Sequence, residues 1–372
     1  MGDVSETATT VCAEEIPARA AAVRGRRRAN WRFRRARSTV IGSILGMIIL
    51  NLALAAVAYF DPRVRDPMFE VPAHQFRERA AAADSSLTVA FLGSSRTGNG
   101  IRPVVAQELI AAETGRPCIA HNLHVPGGGP VTEFVHWRRL LERGPRPDVV
   151  VIEVCPPWLS MPDGQPVEAG ALRGDRMARD ETKFVQQYGF RSDVEGEWRE
   201  ANFNPWFGFR FQLLGRVRPR WLPPGVARHE PTAAEELGWR MPFFVSAPPL
   251  LHDEAIDKTR EQFYRPMQLI RDDGPPAQAL RDLVRDCRER GTIVAVWVTP
   301  EASEVRAWYS EKSEARLQSL LASLRTFGAC VVDGRTWLPD EAFVDGHHSA
   351  RSWSDEYTRQ VTRKAVLPAL SR

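Results

Sequence analysis

Cysteine is scarce in this chain, with five among 372 residues, and no two of them stand in a CxxC pair. That excludes a disulfide-built scaffold and speaks against a zinc site. Excess positive charge is missing from most of the chain as well. The formal charge is +4, but the first 39 residues hold nine arginines, no lysine and four acids, so they carry +5 and everything after Thr39 carries −1. No nucleic-acid partner is expected for the bulk of the chain. What is abundant points to a folded body of one or two domains: 43% of the residues are hydrophobic, 26% charged, and 11 are tryptophan, which excludes disordered and collagenous classes.

Val40–Phe60 reads VIGSILGMIILNLALAAVAYF, with no charge and only Ser43 and Asn51 polar. Twenty-one residues match the hydrocarbon thickness of a bilayer when helical. The arginines just before it keep residues 1–39 in the cytoplasm as a basic tail and send the rest across, so a single-pass anchor with an extracytoplasmic body is expected. Cleavage after Ala56-Val57-Ala58, as in a signal peptide, is the alternative. The run RGRRRANWRFRRAR interleaves Trp31 and Phe33 with arginine, which suits anionic lipid better than RNA.

After a juxtamembrane linker at 61–86, five short apolar runs read as buried strands: Leu87–Gly93, Cys118–Val125, Asp148–Cys155, Thr292–Thr299 and Ala329–Val332. Between them apolar residues recur at helical spacing and stop at Gly115, Gly144, Gly291 and Gly328. Strands alternating with helices predict a parallel sheet covered on both faces, over residues 87–372. A final helix is expected from Ser354 as N-cap to about Pro368. At about 156–260 the alternation breaks into a stretch rich in tryptophan and proline, expected as a lid or substrate platform, or as a shield for a sheet edge. Cys118, Cys155, Cys287 and Cys330 fall on strand ends or a buried helix face and are expected as buried thiols; Cys12 falls on the cytoplasmic side.

The first strand runs into Gly93-Ser94-Ser95-Arg96-Thr97. A hydroxyl at the C-terminal end of a parallel strand gains the N–H groups of the turn and helix that follow. Near the C-terminus, Asp345-Gly346-His347-His348 sets a carboxylate three residues before an imidazole on one loop, so that Asp345 could orient His348 toward the serine. A solvated histidine pair, or metal binding by His347 and His348, are the other uses of such a loop. The remaining histidines after the span are His74, His121, His124, His136 and His252.

Serine after strand one and Asp-x-x-His before the last helix resemble the SGNH/GDSL hydrolase superfamily. Asn122 followed by Gly127 in NLHVPGGGP matches that family's second block. The resemblance implies a flavodoxin-like three-layer α/β sandwich with a five-stranded parallel sheet. It also implies Ser95 as nucleophile with Ser94 as the alternative, His348 as base, Asp345 as orienting acid, and N–H groups of Ser95 and Gly127 as the oxyanion hole; no cofactor or metal is implied. Where the family has Gly-x-Asn-Asp after strand three, this chain reads Val154-Cys155-Pro156-Pro157-Trp158, without the Asn donor. That block, with Phe343-x-Asp345-x-x-His348 and Trp353, is similar to the membrane-anchored D-alanyl transfer proteins and the SGNH-like proteins of alginate acetylation. The implied activity is O-acyl transfer or ester hydrolysis on a cell-surface glycan or polymer, alongside a multi-span membrane acyltransferase, with Arg96 and Asn99 shaping the acceptor site. A silent glycan-binding or assembly protein that keeps the fold is the alternative.

Overall fold

The computed structural model describes residues 15–83, 85–191, 193–223, 236–239 and 249–372; Cys12 lies outside them, as do the acids of the tail up to Glu14 and parts of the insertion. The chain divides into two compact units, residues 1–57 and 58–372. Helix α1 (Glu15–Phe60) holds the basic segment and the apolar run, and all but its last three residues belong to the first unit. The most apolar 18-residue stretch within Trp31–Phe60 has a mean hydropathy of 2.4 and none of it is buried, so by length and composition it suits a membrane span.

The second unit is a three-layer α/β sandwich. Its sheet is built from β1 (Leu87–Leu92), β2 (Cys118–Asn122), β3 (Val149–Val154), β4 (Ile293–Val298) and β5 (Cys330–Asp333), all parallel, in the order β2-β1-β3-β4-β5. This is the flavodoxin-like order, with its switch point between β1 and β3, where ligands bind outside the strand ends. The continuous apolar runs are explained by cover on both faces: Ala90, Leu92, Val150 and Ile152 point into one core, while Val89, Phe91, Val151 and Trp297 point into the other.

Among the described residues, the α-helices of the second unit longer than one turn are α2 (Pro67–Ala82), α3 (Ser95–Gly100), α4 (Pro103–Thr114), α5 (Pro130–Arg143), α6 (Arg179–Gln186), α7 (Asp193–Phe203), α8 (Arg210–Val217), α9 (Pro249–Gln268), α10 (Pro275–Glu289), α11 (Glu311–Thr326) and α12 (Ser354–Val361). Helices α2, α5, α10 and α11 cover one face; α4, α12 and the turns after α12 cover the other.

Three boundaries differ from the sequence expectation. Residues 61–86 are no linker: Phe69, Ala73 and Phe76, spaced four and three apart, are fully buried on α2 and belong to the core. The insertion extends past 260, because α9 runs to Gln268 before the sheet pattern resumes with α10. Ser354 is the first residue of α12 and not its cap; its hydroxyl donates to the Asn99 carbonyl at 2.9 Å, and helical structure continues through a π-turn to Leu370.

The described parts of the insertion lie in two places. Trp158 and α9 line the hollow beside Ser95. Gly238 and Trp239 lie against the edge strand β2 and α3: Gly238 sits against the Asn122 carbonyl, and Trp239 Nε1 donates to the Asn99 carbonyl at 3.0 Å. Cys118, Cys155, Cys287 and Cys330 are free thiols. Burial pushes the Cys118 thiol up to about 12, against the pull of Arg79, so it is inert near neutrality.

Candidate active site

Ser95 opens α3 directly beyond the C-terminal end of β1. The turn is held by Glu153, the one acid in the apolar strand β3. Its buried carboxylate accepts the N–H groups of Ser94 and Thr97, each at 3.0 Å, the Ser94 hydroxyl at 2.5 Å and the Thr97 hydroxyl. Ser94 is therefore committed to Glu153 and to capping Arg96 N–H, which removes it as the alternative nucleophile. Ser95 Oγ is left free to face His348, with Nε2 at 2.7 Å.

The Asp345–His348 loop closes on itself. Val344 N–H donates to the His348 carbonyl at 3.0 Å, and Phe343 bridges Ser349. Asp345 Oδ1 accepts the N–H groups of His347 at 3.1 Å and His348 at 2.7 Å, the turn geometry that a short acidic side chain favours. Asp345 Oδ2 lies 2.7 Å from His348 Nδ1. A carboxylate only accepts, so Nδ1 carries the proton and Nε2 is the acceptor facing the Ser95 hydroxyl. Burial disfavours the Asp345 charge, but His347, His348 and the hydrogen bonds from His348 outweigh it and hold the carboxyl well below its ordinary range. Helix α9 clamps this loop from outside, with Thr259 Oγ1 donating to the Asp345 carbonyl at 3.1 Å and His252 Nδ1 to the Val344 carbonyl at 3.1 Å.

His347 and Arg96 line the same hollow as Ser95 and are bonded to each other. His347 Nδ1 accepts from Arg96 Nε at 3.1 Å, and its Nε2 lies 3.5 Å from Asp345 Oδ2. Burial holds this ring neutral, well below its ordinary pKa. Arg96 does not reach out to an acceptor: it is 2% exposed and donates to Thr299 Oγ1 at 2.8 Å and Glu301 Oε1 at 2.9 Å. Glu301 in turn accepts from Tyr309. Asp345, His347 and His348 place ligand atoms within 4.8 Å of one another; in this arrangement Asp345 accepts from His348 Nδ1, and Arg96 donates to the His347 ring.

Asn122 works from beneath. Its amide donates to the Thr97 and Ile101 carbonyls at 2.9 and 2.8 Å, tying the end of β2 to the nucleophile helix. Asn99 sends its carbonyl to Trp239 and Ser354, away from the hollow. Gly127 lines the same hollow as Ser95 and has φ +76, which glycine adopts without strain. Its loop is pinned at Gly128, whose carbonyl accepts from Trp158 Nε1 at 2.5 Å, and a Cβ on Gly129 would stand 2.0 Å from the Trp158 ring. Glu168, from the insertion, accepts the N–H groups of Gly129, Val131 and Thr132. Trp158 thus braces the loop, and its Nε1 donor is spent on the Gly128 carbonyl.

Sequence reasoning missed Glu153, Glu168 and the bracing role of Trp158. An acid inside an apolar strand was a signal for the first; nothing local marked the second. Of the other histidines, His121 and His136 are core residues, His124 lies under Gly98, and His74 pairs with Glu78. The hollow at Ser95 has a volume of about 320 Å³. A larger one of about 1230 Å³ lies among Asp61, Arg65, Glu142 and Lys183 and is lined by no serine, threonine or cysteine.

The class that fold and site define is a three-layer α/β protein with a Ser–His–Asp chain at the switch point of its sheet. No protein-family model matches the sequence. No curated protein matches it either. Among solved structures, a lipase/acylhydrolase from Enterococcus faecalis aligns over 75% of this chain and 97% of its own, with 11% identity and a TM-score of 0.33.

Proposed function

We propose that this protein is a membrane-anchored SGNH-like serine acyltransferase or esterase. It works outside the cytoplasm on O-acyl groups of a cell-surface glycan or polymer, with a multi-span membrane acyltransferase as its partner. The observation that carries the reading is the continuous chain Ser95 Oγ, His348 Nε2, His348 Nδ1, Asp345 Oδ2, with both gaps 2.7 Å. In the proposed first step Ser95 Oγ bonds to the acyl carbon while its proton passes to His348 Nε2. Asp345 stabilises the imidazolium, and the leaving group takes the proton as its bond to the acyl carbon breaks. The acyl carbon is then attacked by a glycan hydroxyl, or by water, which gives its proton to His348 Nε2; the bond to Ser95 Oγ breaks and His348 returns the proton to that oxygen.

The N–H groups of Ser95 and Gly127 are the proposed oxyanion donors. Ser95, as the first residue of α3, has no acceptor for its N–H within its own helix. Lacking the third donor of the resembled family forgoes about 2.7–4 kcal/mol of transition-state stabilisation, which favours an activated ester or thioester donor over an unactivated one. Serine-directed fluorophosphonate labelling tests the reading. Wild type labels; Ser95→Ala abolishes labelling and His348→Ala slows it. Labelling indifferent to both changes would leave a silent envelope-binding protein. With an acyl donor and a glycan supplied, acylated glycan marks transfer and free acid alone marks hydrolysis.

A further inference from the structure

We propose that residues 203–221 of the insertion form a second contact with the bilayer, lying in its headgroup region beside the point where the anchor ends. The proposal rests on reading Val40–Phe60 as a span. Five large apolar side chains of this segment, Phe203, Trp206, Phe207, Val217 and Trp221, are between 47% and 91% exposed. Elsewhere in the described part of the second unit only Tyr59, Phe60, Tyr264 and Leu269 are large, apolar and exposed. So concentrated an apolar surface marks an interaction site.

Charge selects the partner. Residues 203–221 contain Arg210, Arg216, Arg218 and Arg220 and no acid, a local +4 in a region that sums to −1 after Thr39. The arginines lie along the rings: Arg210 Cζ is 3.8 Å from the Phe207 centroid and 4.3 Å from that of Phe211, and Arg218 Cζ is 5.9 Å from that of Trp221. Apolar rings flanked by guanidinium groups are what an interfacial helix offers to acyl chains below and phosphates above.

Position agrees with charge. Phe209 and Ala201 pack with Ala58 and Val64 in one buried cluster, and Arg216 Nη1 lies 3.8 Å from Asp61 Oδ2. Ala58 belongs to the apolar run and Asp61 is the first charge after it, so residues touching both are at the membrane surface. Tyr59 and Phe60, 73% and 80% exposed, extend the aromatic belt to the anchor itself.

The test uses the full chain with Cys12→Ser, in phosphatidylcholine vesicles containing phosphatidylglycerol. Single spin labels are placed through Phe207→Cys, Trp221→Cys, Met47→Cys and Glu289→Cys, and depth is read from collisions with oxygen and with a water-soluble nickel chelate. Labels at 207 and 221 are expected about 5–10 Å below the headgroup surface, with 47 deeper and 289 in water. If 47 is deep while 207 and 221 match 289, the second contact is wrong and the span stands. If 47 is aqueous, the span fails and the proposal with it. Shielding of 207 and 221 from both reagents would mean that a protein covers the patch, which also overturns it.

Discussion

Arg96 shows how far a residue's role can lie from its place in the sequence. Next to the nucleophile, it looks like a substrate-facing cation, yet its guanidinium is buried between Glu301, Thr299 and His347. Glu301 holds it protonated against the cost of burial. Removing one partner of a buried pair leaves the other charge uncompensated, at about 3–5 kcal/mol. Arg96→Ala is therefore expected to lower the unfolding free energy measured by denaturant titration by that order and to abolish serine labelling. Arg96→Lys keeps the charge but not the fork of donors, and is expected to recover only part of either. An Arg96→Ala protein as stable as wild type would show that Glu301 finds water instead.

At the scale of elements, the candidate oxyanion loop is held by parts remote in sequence. Trp158 after β3 and Glu168 in the insertion both grip the loop between β2 and α5. Trp158→Phe keeps the ring against Gly129 but removes the bond to the Gly128 carbonyl. The expected loss is about 1 kcal/mol of stability, the net worth of one such bond, together with slower labelling of Ser95 at unchanged Ser95–His348 geometry. Labelling at the wild-type rate would place the oxyanion donors elsewhere. The loop between β5 and α12 needs less help, because Asp345 caps its own turn and sets His348 within the same four residues.

Across the whole molecule, buried neutral histidines set the response to acid. His121 is fully buried with no hydrogen bond to either ring nitrogen, and burial pushes its pKa down to about 3. Its folded value lies below the unfolded one of about 6.5, so its contribution is complete above pH 6.5 and is lost progressively as pH falls toward 3. Between pH 6.5 and 5 wild type is expected to lose about 2 kcal/mol more than His121→Leu, at about 1.4 kcal/mol per pH unit for one proton. Denaturation curves at the two pH values measure this. Glu133, shifted up by burial, acts in the opposite direction but equally in both proteins, so it cancels in the difference. Parallel pH profiles would show that the ring is hydrated.

By itself the sequence determined what depends on neighbours along the chain. A 21-residue uncharged run, strands apolar on both faces, a hydroxyl after β1 and an acid three residues before a histidine are local patterns, and their physics is complete within a few residues. The tertiary structure alone decided what depends on desolvation and on partners far along the chain. Arg96 became a buried ion-pair member because Glu301 stands across the fold from it. Residues 61–86 joined the core because β2 and α5 offer a face for Phe69 and Phe76. The tryptophans of the insertion divided into Trp158 and Trp239, which brace the fold, and Trp206 and Trp221, which remain exposed. Burial is a property of the packed whole, so no periodicity or motif could assign those roles in advance.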